Sequence, residues 1–452
     1  MTEQDTDTTE DRVESLLEQQ AETIERQQQV IEEQRETIDT LEARLDGGGG
    51  GDFPVGRRRA LKTGGLLALL AGGVGTASAD AQGQVGTDSD PLQALYTEEL
   101  NGGVVGDQAV TNLVGNGLIV SGGTLSVDLT APDDLDALLD GMDGDGSSGS
   151  PYQITNVSEL QAMDADTEAH YELANDIEAS LTALWNDGDG FTPLGDQSFT
   201  GTFDGKGHTI TRLAINRSDE NYVGLFGRLS GTIQNVGLKN INITGSDYVG
   251  GLVGWNEASD ITSSSATGSV SGSNYVGGLV GWNQGTVKQS YATGNVTGSE
   301  SVGGLVGLNS KPTLSSLIEQ SYAHVTGSAS VSGTNFVGGL VGENREDVEK
   351  SYATCNVSGD TNVGGLVGNN DETVDSYWNS DLKSTGNGGG GFFNATGLTT
   401  SEMQGGEADD NMGDLEFSSV WATVDAENDD ESADDYPVLQ ALDRAAQLEA
   451  RE

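Results

Sequence analysis

Few side chains of this sequence have the type and spacing that catalysis requires. The 452 residues include three histidines, His170, His208 and His324, and none of them stands in a metal-binding spacing such as HExxH. No serine occurs in the Gly-x-Ser-x-Gly setting of an activated nucleophile. Asp204 and His208 lie close together in the sequence and are the pair considered for acid–base chemistry. We expect no catalytic residue, and a protein that is not an enzyme.

Two acidic segments bent by glycine have the oxygen-rich composition of calcium loops. In Asn186-Asp-Gly-Asp-Gly190 the candidate ligands are Asp187 and Asp189, and Asp143-Gly-Asp145 is similar. Neither segment has the twelve-residue spacing that ends in Glu, so solvated turns are the alternative interpretation. Calcium is therefore the one cofactor considered, and we expect that none is needed. The single cysteine, Cys355, excludes an intrachain disulfide.

Six Asn-x-Ser/Thr sequons could accept N-linked glycans in an exported protein. Three of them occupy the same slot of an internal repeat, which would place the sugars along one edge. The alternative is an asparagine required at a recurrent turn. The six candidates are Asn156, Asn216, Asn242, Asn295, Asn356 and Asn394.

A motif repeated five times predicts the elements that must position these residues. Val-Gly-Gly-Leu-Val-Gly-x-Asn begins at positions 249, 276, 302, 337 and 363, in steps of 26, 27 or 35 residues. Self-similarity at this period indicates one supersecondary unit stacked on its neighbours at roughly 4.8 Å per rung. We therefore predict an all-β fold, a parallel β-helix or solenoid over residues 147–395. Trp255 and Trp282 fall at a variable, outward position of the motif and are candidate binding residues, with local packing as the alternative.

The charge of the chain is strongly acidic, with 72 acidic and 20 basic side chains and a formal net charge of −52. Such self-repulsion opposes a compact state in dilute buffer, but at 1 M salt the Debye length falls to about 3 Å. The composition resembles that of proteins from extremely halophilic archaea. An acidic disordered chain is the alternative, which the regular aliphatic repeats disfavour. Nucleic acid is excluded as a partner because its phosphates would be repelled.

Residues 1–55 are predicted to form an acidic α-helical coiled coil followed by a glycine linker. Apolar residues recur every seven positions over residues 11–46, while glutamine occupies three of the companion core positions. We expect a homo-oligomer through this coil, with a single solvated helix as the alternative. The apolar positions are Leu17, Ile24, Ile31, Ile38 and Leu45.

Residues 56–79 have the composition of an export signal. Arg57, Arg58 and Arg59 precede a short, glycine-rich apolar run that ends in small residues at Ala79. The segment resembles a twin-arginine (Tat) signal, which implies the Tat translocase as a partner and cleavage after Ala79. The mature protein would then be extracellular or at the cell surface. If the signal is not cleaved, it becomes a membrane tether.

Two further segments flank the predicted solenoid. Residues 80–146 alternate short apolar runs with glycine turns, which predicts a connector of short strands and a linker, with a short helix near Asp133–Met142. Residues 396–452 are predicted to form a C-terminal exit segment with an acidic helical tail.

The repeated motif resembles the GLUG motif of secreted bacterial and archaeal proteins, among them filamentous-haemagglutinin-like adhesins and some IgA-peptidase passengers. The resemblance covers about residues 145–440, and Phe199–Ile210 is similar to a segment of pectate-lyase-like β-helices. It implies a parallel β-helix of GLUG repeats. It also implies that Asp204 and His208 belong to a structural turn.

Three functional hypotheses follow. The first is an adhesin-like protein that contacts surface glycans or envelope proteins through outward residues such as Trp255 and Trp282, an assignment that rests on analogy of fold. The second is a trimeric fibre protein, including one of viral origin, which assembles through residues 11–46 or 80–127. The third is a polysaccharide-active β-helix enzyme, which would need clustered carboxylates on one outer sheet.

Overall fold

The computed structural model describes residues 118–121, 124–127, 131–132, 134–310, 316–325, 330–372, 374–391, 393–424 and 435–451. All of these lie in the second of two compact units, Thr76–Glu452. The predicted coiled coil at residues 11–46 lies outside the described residues, as does the signal segment with Arg57, Arg58, Arg59 and Ala79.

The predicted all-β parallel solenoid is confirmed, with about six turns built from three parallel sheets. Neighbours in each sheet are equivalent residues of successive turns, so Val280 pairs with Val253 and with Val306. The six-stranded sheet comprises Phe226–Leu229, Val253–Asn256, Val280–Asn283, Val306–Asn309, Val341–Asn344 and Val367–Asn370. The five-stranded sheet comprises Val249–Gly250, Asn274–Gly277, Glu300–Gly303, Asn335–Gly338 and Thr361–Gly364.

The third sheet has nineteen strands and extends the solenoid beyond the repeats on both sides. Before the repeats it contains Tyr152–Ile154, His170–Leu173, Ile177–Glu178, Thr202–Asp204, Thr209–Thr211 and Ala214–Asn216. Within the repeats it contains Thr232–Gln234, Gly237–Thr244, Asp260–Thr262, Ser265–Ser271, Thr286–Lys288, Tyr291–Thr297, Leu317–Glu319, Tyr322–His324, Val331–Ser332, Asp347–Thr354 and Val357–Ser358. It ends with Val374–Asn379 and Thr396–Leu398.

Shorter elements flank these sheets. The predicted helix near Asp133–Met142 is present as Leu135–Gly141, and a second helix at Val157–Ala162 begins at Asn156. The other helices are Glu407–Asn411 and Arg444–Glu449, with 3₁₀ turns at Met163–Ala165, Ser180–Leu184, Asn186–Gly188 and Thr400–Glu402. Antiparallel pairs join Leu118–Ser121 to Thr124–Val127 and Trp421–Val424 to Asp435–Leu439.

The interior of the solenoid consists of ladders of identical aliphatic side chains. Because equivalent residues pair at every rung, one inward position of the repeat generates a whole column of the core. Fully burying each such side chain contributes about 1.5–3 kcal/mol. One column, with every member fully buried, is Val253, Val280, Val306, Val341 and Val367.

A buried ladder of asparagines explains the last residue of the motif. Each Nδ2 donates to the Oδ1 of the asparagine one turn later, over distances of 2.8, 2.9, 2.9 and 2.8 Å. The chain of amides satisfies polar groups that would otherwise be buried without partners. The ladder consists of Asn256, Asn283, Asn309, Asn344 and Asn370, all with no exposed surface.

Candidate functional site

Five aromatic side chains from three successive turns form one continuous cluster on the solenoid, here called the aromatic wall. Its tyrosine column stacks Tyr222 on Tyr248 and Tyr248 on Tyr275, with ring centroids 4.9 and 5.0 Å apart and planes within 8° of parallel. Its tryptophan column stacks Trp255 on Trp282 at 5.0 Å. The columns touch where Tyr222 meets Trp255 and Tyr248 meets Trp282, at 5.6 and 5.5 Å. All five side chains are half-buried.

One end of the aromatic wall is closed by a cation. The guanidinium carbon of Arg228 lies 4.2 Å from the ring centroid of Tyr222 and 5.4 Å from that of Trp255. Arg228 precedes Trp255 in the same column of the six-stranded sheet, so the guanidinium takes the place of a sixth ring. A cation over an aromatic face contributes about 0.5–2 kcal/mol.

The backbone at the tyrosine column is left-handed, with φ of 61°, 60° and 57° at Tyr222, Tyr248 and Tyr275. Bulky side chains are rare in this region, and each such residue costs on the order of 1–3 kcal/mol. Asn362 occupies the equivalent position of the last repeat at φ 53°, and asparagine is the residue type that such a backbone tolerates best. The tyrosines are therefore not explained by the backbone alone.

In the aromatic wall the tryptophan N–H groups form hydrogen bonds with the protein, whereas the tyrosine hydroxyls do not do so among the described residues. The indole Nε1 of Trp255 donates to Gln284 Oε1 at 3.2 Å, and that of Trp282 donates to the Ser310 carbonyl at 3.1 Å. No hydrogen bond reaches the hydroxyls of Tyr222, Tyr248 and Tyr275 from the part of the chain that the structure describes. Among the described residues, the wall therefore presents a row of three phenol hydroxyls that form no hydrogen bond with the protein.

A second tyrosine stack lies on the nineteen-stranded sheet and is covered by the C-terminal segment. Tyr291, Tyr322 and Tyr352, here called the covered stack, have centroids 4.9 and 5.0 Å apart. They are at most 4% exposed because they pack in one apolar cluster with residues of 396–451, including Trp421. Burial raises the pKa of Tyr352 far above its usual value.

The C-terminal segment also supplies polar partners to the covered stack. Tyr322 donates its hydroxyl hydrogen to Gln447 Oε1 at 3.2 Å. Arg451, only 5% exposed, donates to the Tyr352 hydroxyl at 3.0 Å and lies 3.4 Å from Asp435 Oδ2. A buried guanidinium needs such partners, since an unpaired buried charge is strongly destabilising.

Asp204 and His208 are held in separate contacts at the surface. Partial burial raises the pKa of Asp204, but hydrogen bonds from the Lys206 N–H, Asn235 and Gln234 outweigh this effect, so the pKa is lower than usual. His208 Nδ1 lies 3.3 Å from Asp176 Oδ1. These contacts fix the turn between Thr202–Asp204 and Thr209–Thr211, and they leave Asp204 and His208 beside different carboxylates, since Glu172 pairs with Asp204 and Asp176 faces His208.

His324 is buried between the solenoid and the C-terminal segment. Its Nδ1 lies 2.5 Å from Thr354 Oγ1, its ring is 5.3 Å from that of Tyr436, and its Nε2 has no hydrogen-bond partner among the described residues. Burial, with the nearby positive charge of Arg451, lowers the pKa of His324 well below its usual value of 6.5. The imidazole is therefore neutral in the folded protein near neutral pH.

We expect the protein to lose stability as the pH falls below about 6.5. In that range the unfolded chain binds a proton at His324 and the folded chain does not, so the free energy of unfolding decreases by up to about 1.4 kcal/mol per pH unit. Urea unfolding midpoints in molar KCl at pH 7.5 and pH 5.5 measure the effect. His324→Gln should flatten the dependence, and His208→Gln, at a more exposed position, should retain it. An unchanged dependence in His324→Gln would contradict this assignment.

Cys355 lies in the interior of the repeats. It is 2% exposed, its thiol donates to the Gly339 carbonyl at 3.3 Å, and burial raises the pKa of the thiol far above its usual value. The buried thiol is a small apolar filler.

The calcium candidates Asp187 and Asp189 are both exposed, and they lie in and just after the 3₁₀ turn Asn186–Gly188. Across the described ranges no three His, Cys, Asp or Glu side chains are grouped closely enough to hold a metal ion. Nor does any helix in those ranges have the length and apolar composition needed to cross a membrane.

The structure places three of the sequons in one column of the nineteen-stranded sheet. Asn242 pairs with Ser269, which pairs with Asn295, and Asn356 stands two turns beyond Asn295. Asn242 and Asn295 are exposed and Asn356 is half-buried. Occupied sequons would then stand on alternate rungs, roughly 10 Å apart.

The remaining three sequons lie outside this column. Asn216 and Asn394 are exposed. Asn156 is 8% exposed, and its Oδ1 accepts from the N–H groups of Ser158 and Glu159 at the start of a helix. A glycan on Asn156 would have to displace this N-cap.

Trp255 and Trp282 were candidate binding residues from the sequence, whereas the three tyrosines and Arg228 were not. A signal was present, because Tyr222, Tyr248 and Tyr275 each precede Val-Gly at the same point of the repeat. Their contacts could not be predicted from one repeat, since Tyr222 and Tyr248 each touch the tryptophan of the following turn.

Comparison with known proteins identifies the repeats. Residues 245–271 and 272–297 match the profile of the GLUG motif family. Halomucin from Haloquadratum walsbyi is 42% identical over an alignment of 139 residues, which covers 28% of this chain and 2% of Halomucin. An Evansella cellulosilytica protein provisionally named a Gly-rich membrane protein is 36% identical over an alignment of 111 residues, which covers 24% of this chain and 12% of that protein. The matched segments thus span only small parts of these relatives.

One solved structure gives a partial superposition. A Bacteroides ovatus protein, provisionally named an immunoglobulin A1 protease, superimposes with a TM-score of 0.48 and 21% identity over 69% of this chain and 98% of that one. The GLUG resemblance expected for residues 145–440 is matched by the family profile over residues 245–297. The chain therefore carries GLUG repeats in a parallel β-solenoid.

Proposed function

We propose that this chain is an exported, non-enzymatic protein of a halophile, located at the cell surface or secreted, whose solenoid mediates adhesive contacts. The observation that carries the proposal is the aromatic wall, an outward cluster on a rigid stack of parallel rungs. The polar side chains considered for chemistry, Asp204, His208 and His324, are instead engaged in contacts that hold turns and packing together.

The relatives and the charge support the location. One relative is named Halomucin and comes from Haloquadratum walsbyi, and another is named as a membrane protein. The net charge of −52 suits a protein that works in concentrated salt, where it is screened. The Tat route through Arg57, Arg58 and Arg59 is part of the proposal, as are surface glycans or envelope proteins as the contacted partners.

The N-terminus of the protein in separate membrane and culture-medium fractions, identified by mass spectrometry, tests this function. We expect a mature protein that begins at Asp80, after cleavage behind Ala79. An intact N-terminus in the membrane fraction would instead mean a tether, with residues 11–46 retained. Recovery of the intact chain only from the cytoplasm would contradict the proposal. So would release of saccharides when the purified protein is incubated with acidic polysaccharides in molar salt.

A further inference from the structure

We propose that the aromatic wall binds a neutral oligosaccharide, which lies across its row of phenol hydroxyls. The inference rests on the proposed surface role and names the ligand class of that site. The two tyrosine stacks of the molecule differ in the partners of their hydroxyls. The same stacking of three tyrosines occurs twice, and in the covered stack the hydroxyls of Tyr322 and Tyr352 are bonded to Gln447 and Arg451. In the aromatic wall the equivalent groups have no partner within the described residues.

The exposed parts of the rings decide which ligands are attracted. Tyr248 is stacked on both faces by Tyr222 and Tyr275, and the faces of Trp255 are taken by Trp282 and Arg228. A ligand approaching from the side therefore meets ring edges, which carry the positive part of the aromatic quadrupole. Ring edges favour oxygen lone pairs and disfavour cations, which bind to ring faces.

The tyrosine hydroxyls and the charges around them further restrict the class of ligand that the wall can bind. Each phenol can donate one hydrogen bond and accept others, as the hydroxyls of a sugar can, so the two sets are complementary. Acidic residues border the wall: Asp247 accepts from Asn274 at 2.8 Å, and Glu300 is exposed one turn beyond Asn274. These carboxylates repel anions from the part of the wall near Tyr248 and Tyr275, while the guanidinium of Arg228 lies against ring faces at the other end. A ligand that is neutral and rich in hydroxyl and acetal oxygens satisfies both conditions.

The extent of the aromatic wall favours a ligand of a few rings over a second protein. Along the solenoid the wall covers two stacking steps, of 4.9 and 5.0 Å. On the next turn the positions of Tyr275 and Trp282 are taken by Ser301 and Leu308, both buried. One turn further the tryptophan position is Glu343, which accepts from Ser301 at 3.1 Å. A stable protein interface needs roughly 800 Å² on each partner, far more than three rungs supply.

The test is a binding measurement on the purified full chain in molar KCl. Isothermal titration with cellohexaose, mannohexaose and chitohexaose provides neutral probes, and an alginate hexamer provides an anionic one. We expect saturable binding of at least one neutral probe and none of alginate. The decisive variant combines Tyr222→Phe, Tyr248→Phe and Tyr275→Phe, which keeps every ring and removes only the hydroxyls. Loss of three hydrogen bonds should weaken binding about tenfold or more.

Tyr377→Phe is the matched control, because it removes one hydroxyl from a tyrosine that lies outside the wall and donates to Asp414 of the C-terminal segment. It should bind as the parent does. An unchanged midpoint of thermal unfolding would show that the triple variant is folded. Trp282→Phe provides an independent variant, which should also bind the oligosaccharide more weakly if the wall is the site. Equal affinity of the triple variant and the parent, binding of alginate alone, or no binding of any neutral probe would each overturn the inference. The location of the N-terminus is measured separately, so the surface role is judged independently.

Discussion

Replacing Gly304 by alanine should destabilise the solenoid by about 3 kcal/mol or more, the upper part of the range for overpacked cores. A Cβ at this position would lie 2.1 Å from the carbonyl oxygen of Gly339 on the next turn and 2.9 Å from the Cβ of Ala323. The first contact is with backbone, which cannot turn aside as a flexible side chain would. Relief therefore requires a shift of the rung itself, and urea unfolding in molar KCl measures its cost.

Two further variants sharpen this experiment. Gly149→Ala is the matched control, because nothing lies within 4 Å of its added Cβ, and its midpoint should stay within about 0.5 kcal/mol of the parent. Ala323→Gly combined with Gly304→Ala removes the side-chain contact and leaves the carbonyl contact, so it should restore little stability. Full restoration by the double variant would contradict the backbone contact as the cause.

Asn309→Leu should cost about 2–5 kcal/mol, because it interrupts the asparagine ladder at its centre. The substitution removes the acceptor of Asn283 Nδ2 and the donor to Asn344 Oδ1, and both bonds, of 2.9 Å, are buried. Leucine has the branching of asparagine but a larger volume, so no cavity forms, and the loss comes from buried polar groups left without partners, with overpacking added. The urea midpoint should fall accordingly.

Asn369→Leu is the control for this prediction. Asn369 stands beside the ladder residue Asn370 in the same strand but is half-buried and lies in the column of Trp255 and Glu343. Its replacement should change the free energy of unfolding by less than about 0.5 kcal/mol. A similar loss in both variants would mean that leucine is tolerated poorly anywhere on this strand and that the ladder is not special.

Much of the solenoid could be predicted from the sequence because its contacts are periodic. Val280 pairs with Val253 and Val306, and Ala292 with Ala266 and Ala323, so one repeat contains the pairing of all its neighbours. The role of the asparagine at the end of each repeated motif was less apparent from the sequence. Asparagine is typical of turns, and only the pairing of successive coils of the solenoid shows that this one is buried in a ladder.

The candidate site was predicted in part. Trp255 and Trp282 were recognised by their variable, outward position, and they are indeed half-buried neighbours. Their partners could not be derived, because Tyr248 lies against Trp282 of the following turn and not against Trp255 of its own motif copy. Arg228 was hidden because it belongs to a degenerate repeat in which the tryptophan is absent.

The repeat unit, the all-β class and the acidic character of this protein follow from its sequence alone, because each is a property of composition or of a local pattern that recurs. Which tyrosine stack is covered and which is bare depends on the folding of the whole chain. That choice depends on contacts such as Arg451 to Tyr352, which join residues 99 positions apart and follow no period. The same long-range packing buries His324, and the stacking of turns assembles Tyr222, Tyr248 and Tyr275 into one surface.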